Sequence, residues 1–223
     1  HPFVVYTSTE MVTWTEAGGV YEWQPGWSSK YQFMSPNVFC YDGVFYLLFQ
    51  AWNNDTDKSA RLFYASASSP LGPFEGCTML NDVHEIGGHP FVDDDGKVYI
   101  TLCRFDFGSN LYIEEVAVKD GVITPKPETC KLILYPQTAY EVNGRGRTVE
   151  GGVPIKHGGY YYMFYAVGSY KLHYGQSYAV SKSIYGPYEK YEYNPFLVYN
   201  AAVDGWQYGA VSFNTASGDK SPV

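Results

Sequence analysis

Asp42-Gly-Val-Phe-Tyr-Leu-Leu-Phe49 reads as a tight turn running into a strand: Asp-Gly suits the turn, and the aromatic and branched run after it suits a pleated, buried strand. The pattern returns 116 residues later as Gly158-Gly-Tyr-Tyr-Tyr-Met-Phe-Tyr165, with a third version between them, Asp95-Gly-Lys-Val-Tyr-Ile-Thr-Leu102. Downstream of the first copy, Tyr64-Ala-Ser-Ala-Ser-Ser-Pro-Leu-Gly-Pro-Phe-Glu75 matches Tyr178-Ala-Val-Ser-Lys-Ser-Ile-Tyr-Gly-Pro-Tyr-Glu189 almost position for position, at an offset of 114. Successive units therefore start 53 and 63 residues apart, the size of a four-stranded propeller blade with a generous loop. Helical solenoids are excluded by the strand content. A β-sandwich stays open, although nothing in a sandwich calls for a repeat of this length.

The ends carry parts of units. Val4-Val-Tyr-Thr-Ser-Thr-Glu-Met-Val-Thr-Trp-Thr-Glu16 resembles the second half of a repeat, and Gly209-Ala-Val-Ser-Phe-Asn-Thr-Ala-Ser-Gly-Asp-Lys220 reads as an opening strand and turn. The expected organisation is a single domain over residues 1–223. It has a partial first blade at about 1–30, full blades at about 31–80, 85–135 and 148–200, and a partial last blade at about 205–223. Two half-units can complete one blade, or the chain can be a fragment of a longer propeller; the second is the expectation.

Composition agrees with an all-β domain. The 223 residues include 23 Tyr, 13 Phe and 5 Trp, which favour strands, together with 23 Gly and 13 Pro for turns. A hydrophobic content of 45% excludes a disordered chain. The net charge of −8 argues against nucleic acid, whose phosphates call for concentrated Lys and Arg, and favours a neutral polar ligand. No apolar run approaches the ~20 residues of a membrane span. The four cysteines lie far apart without CxxC or His pairing, so zinc is not expected. Cys40 and Cys103 fall inside expected strands, as buried free thiols.

Four motifs in order carry a family likeness: Ser35-Pro-Asn-Val38, Ile86-Gly-Gly-His-Pro-Phe-Val-Asp-Asp-Asp-Gly-Lys97, Val149-Glu-Gly-Gly-Val-Pro-Ile-Lys156 and Ser183-Ile-Tyr-Gly-Pro-Tyr-Glu-Lys190. Over nearly its whole length the chain resembles glycoside hydrolase family 43, which groups arabinanases, arabinofuranosidases and xylosidases. The resemblance implies an all-β, five-bladed β-propeller, here with its first and last blades incomplete. It also implies hydrolysis of arabinose- or xylose-containing plant oligosaccharide or polysaccharide by inversion, in a secreted or periplasmic setting, with neither nucleic acid nor membrane as partner. A propeller that binds carbohydrate without cleaving it is the alternative.

Inversion needs a protonated carboxyl to donate to the leaving oxygen and an ionised one to activate water, about 6.5–9.5 Å apart. The family supplies an Asp base, an Asp that tunes the acid, and a Glu acid. Glu150 matches the acid. It stands just before the Tyr160–Tyr165 strand, where the glycines after it would let a sugar approach, and a partly desolvated carboxyl there would keep its proton. The tuning Asp of Ile-Asp-Gly-His is replaced by Gly87, and the base would lie ahead of His1. Glu85 and Asp82 are near in sequence, but strand alternation need not bring them to the axis. Asp93, Asp94 and Asp95 read as a solvated hairpin turn rather than a metal cluster.

For substrate contacts the resemblance points to Ser169 and Tyr170, after the first hairpin strand of the Glu150 blade. His89 and Arg104 are candidates for bonding sugar hydroxyls, with a structural hydrogen bond as the alternative. Trp23, Trp27 and Trp52 are expected in loops, as sugar-stacking indoles or as plugs between blades. Arg145 and Arg147 are expected to pair with acidic neighbours. The family's Gly-x-Gly-His, whose His helps hold an axial calcium, corresponds to Gly205-Trp-Gln-Tyr208. A phenol is a poor replacement for that imidazole, so no cofactor is expected.

Overall fold

The structure, a computed structural model, describes residues 3–22, 31–53, 59–142, 147–169 and 173–198. Among them there is no α-helix. Strands β1 (Phe3–Thr7) and β2 (Thr15–Tyr21) form an antiparallel pair. Next comes a four-stranded sheet, blade A: β3 (Tyr31–Tyr41), β4 (Val44–Asn53), β5 (Arg61–Ala67) and β6 (Glu75–Met79), hydrogen-bonded in that order. Blade B consists of β7 (Glu85–Val92), β8 (Val98–Phe105), β9 (Ser109–Lys119) and β10 (Val122–Pro125), with β11 (Lys131–Leu134) also on β9. Blade C consists of β12 (Val149–His157), β13 (Tyr160–Ser169), β14 (His173–Ser181) and β15 (Glu189–Lys190), with β16 (Leu197–Val198) on β14. The three copies of the turn-and-strand motif are the β3–β4, β7–β8 and β12–β13 hairpins, and the Gly-Pro copies close the β5–β6 and β14–β15 loops.

Each sheet is an antiparallel meander, and the core lies between sheets. Tyr46, Leu48, Leu62 and Tyr64 of blade A pack against Val98, Ile100, Leu102 and Val116 of blade B. Leu111 and Leu134 of blade B meet Val149, Met163, Tyr165 and Val167 of blade C. Phe3, Val20 and Tyr21 of the β1–β2 pair pack on Leu47, Phe49 and Phe74 of blade A. Strand β8 shows why its sequence is nearly continuous in apolar residues: Val98, Ile100 and Leu102 face blade A while Tyr99 joins the cluster on the blade C side. A sheet covered on both faces has no solvent side to be polar. Burying such a side chain is worth roughly 1.5–3 kcal/mol.

The first strand of each blade carries the same irregularity. Register slips by one residue between Met34 and Asn37 in β3, Ile86 and His89 in β7, and Glu150 and Val153 in β12. The residue that opens each bulge has a left-handed backbone: Ser35 at φ 53°, Gly87 at φ 64° and Gly151 at φ 60°. The second bulge residue is tied to the preceding blade, by Asn37 Nδ2 donating to the Gly88 carbonyl at 2.9 Å and Thr101 Oγ1 donating to the Gly152 carbonyl at 2.5 Å. These ties place β3, β7 and β12 side by side as the inner strands.

Trp52 lies within β4 rather than in a loop, opposite Gln32, because the strand runs on to Asn53. Cys103 is buried in β8 as expected, whereas Cys40, on β3 next to the Asp42 turn, is exposed; all four thiols are free. Trp23 and Trp27 lie outside the described residues.

Candidate active site

Glu150 is the second residue of β12, paired with Ala166 on β13, which is in turn paired with Gln176 on β14. The bulge sets Met34, Ile86 and Glu150 in equivalent places, each the last paired residue before the slip. Of the three inner strands only β12 brings a carboxyl there. Tyr174 of β14 donates a hydrogen bond to Glu150 Oε1 at 2.6 Å. It crosses β13 because the residues beneath it are small: Gly168 is its direct partner and Ala166 lies between Glu150 and Gln176. Burial pushes the Glu150 carboxyl above the ordinary glutamate range, opposed by the Tyr174 bond, which favours the ionised form. The group is thus a carboxylic acid biased toward keeping its proton, as a general acid must be.

The Gly-Gly pair after Glu150 has a different task from the one the sequence suggested. Gly151 supplies the left-handed bulge backbone. A Cβ on Gly152 would run into both methyls of the fully buried Leu111. Gly88 repeats this against Leu62 and Leu48. The pair therefore shapes the strand and seats it on the neighbouring blade, rather than clearing space for a ligand.

At the tuning position, Gly87 presents no side chain; its N–H donates to the buried Gln50 Oε1 at 2.7 Å. Glu85 is turned away into an ion pair with Arg104 across the β7–β8 ladder, at 3.1 Å. Arg104 Nη2 is also 3.8 Å from Glu114, and the guanidinium lies over Tyr112, 5.3 Å from the ring centroid. Burial raises both the Glu85 and Glu114 carboxyls, while Arg104 pulls them down. The charge of Arg104 is thus matched inside blade B. Asp82 pairs with Arg61 at 2.8 Å.

His89 follows the β7 bulge, and its Nδ1 is 2.9 Å from Asn37 Oδ1. The Asn37 amide is oriented by its Nδ2 bonds to Ser35 O and Gly88 O, so its oxygen accepts and His89 Nδ1 carries the proton. Nε2 is then the basic nitrogen. Burial lowers the imidazole to about 4, so the ring is neutral near pH 7. Ser169 ends β13 at the edge next to Glu150's ladder, opposite His173. Tyr170, Arg145 and Tyr208 lie outside the described residues.

Arg147 donates to the Phe107 carbonyl at 2.9 Å and the Pro136 carbonyl at 3.3 Å, rather than to an acidic neighbour. Asp93, Asp94 and Asp95 form the β7–β8 hairpin turn, closed by Asp93 N–H to Lys97 O at 2.9 Å. Asp93 reaches blade C, accepting from Lys156 and from Tyr161 at 2.5 Å. Among the described residues, no group of three or more His, Cys, Asp or Glu side chains could hold a metal ion. The sequence reading missed Tyr174. One tyrosine among 23 carries no signal of its own, and only the Gly168–Ala166 gap opposite it could have pointed there.

A family model for glycosyl hydrolases family 43 matches residues 2–218. A xylan 1,3-β-xylosidase of a Vibrio species is 27% identical over 73% of this chain and 30% of its own length. A non-reducing end α-L-arabinofuranosidase of Bacteroides ovatus is 29% identical over 73% of this chain and 28% of its own. Among solved structures, an endo-1,4-β-xylanase from Bacteroides thetaiotaomicron superposes with a TM-score of 0.74 at 26% identity, over 89% of this chain and 66% of that one. A thermostable family-43 glycoside hydrolase gives 0.74 at 29% identity, over 86% and 65%. The chain thus spans about 30% of the length of these curated relatives.

Proposed function

The chain belongs to glycosyl hydrolase family 43, and from that membership we propose that it forms most of the catalytic propeller of an inverting glycosidase acting on xylose- or arabinose-containing plant oligosaccharide or polysaccharide. Glu150 is the general acid in this reading. The observation that carries it is the placement of one carboxyl, raised by burial and oriented by Tyr174, at the position where the other two inner strands carry Met34 and Ile86. The names of the two curated relatives support the choice of sugars. Inversion requires an ionised carboxylate about 6.5–9.5 Å across the ring to activate water. The base is none of the carboxyls placed above. His89, with Nε2 as acceptor, and Ser169 are suited to sugar hydroxyls, and no step calls for a metal or cofactor.

Proton NMR of the first-formed sugar tests the mechanism: inversion requires the product anomer opposite to the substrate's, and retention would overturn it. Gly87 favours a second reading, a propeller that binds these sugars without cleaving them, because the position expected to tune the acid has no side chain. Calorimetric titration with xylo- and arabino-oligosaccharides separates the two when combined with assay. Binding without sugar release is the mark of the second.

A further inference from the structure

We propose that the Asp106-Phe107-Gly108 turn between β8 and β9 is a sugar-stacking platform, its Phe107 ring lying on a pentose residue beyond the two that flank the bond that Glu150 protonates. This rests on the glycosidase reading above. Phe107 is 91% exposed with φ 55°, and its ring enters none of the aromatic contacts among the described residues. A bulky side chain on left-handed backbone is an outlier; Asn or Gly would make the same turn with less strain. Such outliers persist where surrounding bonds over-determine them, and they cluster at ligand sites.

The turn is held in just that way. Arg147 Nε donates to the Phe107 carbonyl at 2.9 Å, and Asn110 Nδ2 donates to the Asp106 carbonyl and, at 3.4 Å, to the Gly108 carbonyl. Gly108, at φ 114°, is pressed so closely on Arg147 that a Cβ would overlap it. These bonds fix the backbone of the turn and leave the ring in water, so the turn itself has little to order when a sugar binds.

Its position gives the platform its ligand. Ser109 N–H donates to Arg147 O at 2.7 Å, and Ser109 bridges in parallel to Thr148. Glu150 is two residues beyond Thr148, about 7 Å along the strand. Phe107 therefore stands on the edge that leads to the acid. Phe105, 46% exposed and 4.6 Å in ring separation from His84, is a second exposed aromatic at the same turn. A pentose ring presents an apolar face for an aromatic ring and hydroxyls for the polar rim, the combination such sites take.

The test is calorimetric titration of di- to pentasaccharides of xylose and arabinose into Glu150→Gln, which prevents turnover, with and without Phe107→Ala, Phe107→Trp or Phe107→Gly. Expected is a roughly three- to tenfold weaker affinity of Phe107→Ala for the longer sugars, little change for the disaccharides, and retention by Phe107→Trp. Phe107→Gly should lose affinity equally while melting at a higher temperature, since strain is relieved. Equal affinity of Phe107→Ala and its parent at every length overturns the platform and leaves the glycosidase reading intact. Failure of the parent to bind any of these sugars overturns both.

Discussion

The Glu150 carboxyl is under two opposed influences, burial favouring its protonated form and the Tyr174 hydroxyl, 2.6 Å away, favouring the ionised one. Tyr174→Phe removes the second, so the carboxyl keeps its proton to higher pH and the alkaline limb of the pH–rate profile moves upward. A limb that stays in place or moves down would show that Tyr174 does not set the acid's proton affinity. His89 supplies a prediction of opposite sign. Its folded value of about 4 lies below the ordinary imidazole value of 6.5, so the unfolded chain binds a proton between these pH values that the folded one does not. Stability then falls as pH drops from 6.5 toward 4, by at most about 3 kcal/mol from this group. His89→Gln should flatten that slope in urea titrations across this range. Glu150 itself was legible as a motif residue, but its partner was not: Tyr174 and Glu150 meet only because β14 reaches over Ala166 and Gly168, a cross-strand relation that no local pattern encodes.

The bulge is the element that turns a repeated strand into a site. Its Gly-Gly signature was visible in Ile86-Gly87-Gly88-His89 and Glu150-Gly151-Gly152-Val153, but its meaning was not, because room for a ligand and room for a neighbouring blade look alike in sequence. Gly152→Ala is expected to cost about 1–3 kcal/mol in denaturant unfolding, since the added methyl would overlap Leu111 Cδ2. Gly158→Ala, in the open β12–β13 turn at φ 58° with nothing within 4 Å, carries only the left-handed penalty of about 1–2 kcal/mol. If Gly152→Ala costs nothing, the packing role of Gly152 is wrong. The hairpins were readable because turn chemistry and apolar runs are local; Trp52 was misplaced because β4 runs one residue past it, to Asn53.

At the scale of the molecule, blade C is locked to what precedes it through side chains that are far apart in the chain. Lys156 joins Asp93 across 63 residues, and Lys190 grips the buried Glu141 across 49, its two bonds 2.7 and 2.9 Å long. Periodicity announced blades, and motif order announced the family, but neither could say which charged residues face inward. Arg104 and Arg147 illustrate the point: both looked available for a substrate or an acidic neighbour, and the fold commits one to Glu85 and the other to the carbonyls of Phe107 and Pro136.

In the proposed reaction Glu150 donates the proton to the departing sugar oxygen. This role is tested most directly by comparing kcat/KM of the full chain and Glu150→Gln on a natural xylo- or arabino-oligosaccharide and on an aryl glycoside whose leaving group needs no proton. Expected are a loss of at least about 100-fold on the natural substrate and a much smaller loss on the aryl glycoside. Equal losses on both, or no loss on the oligosaccharide, would contradict it.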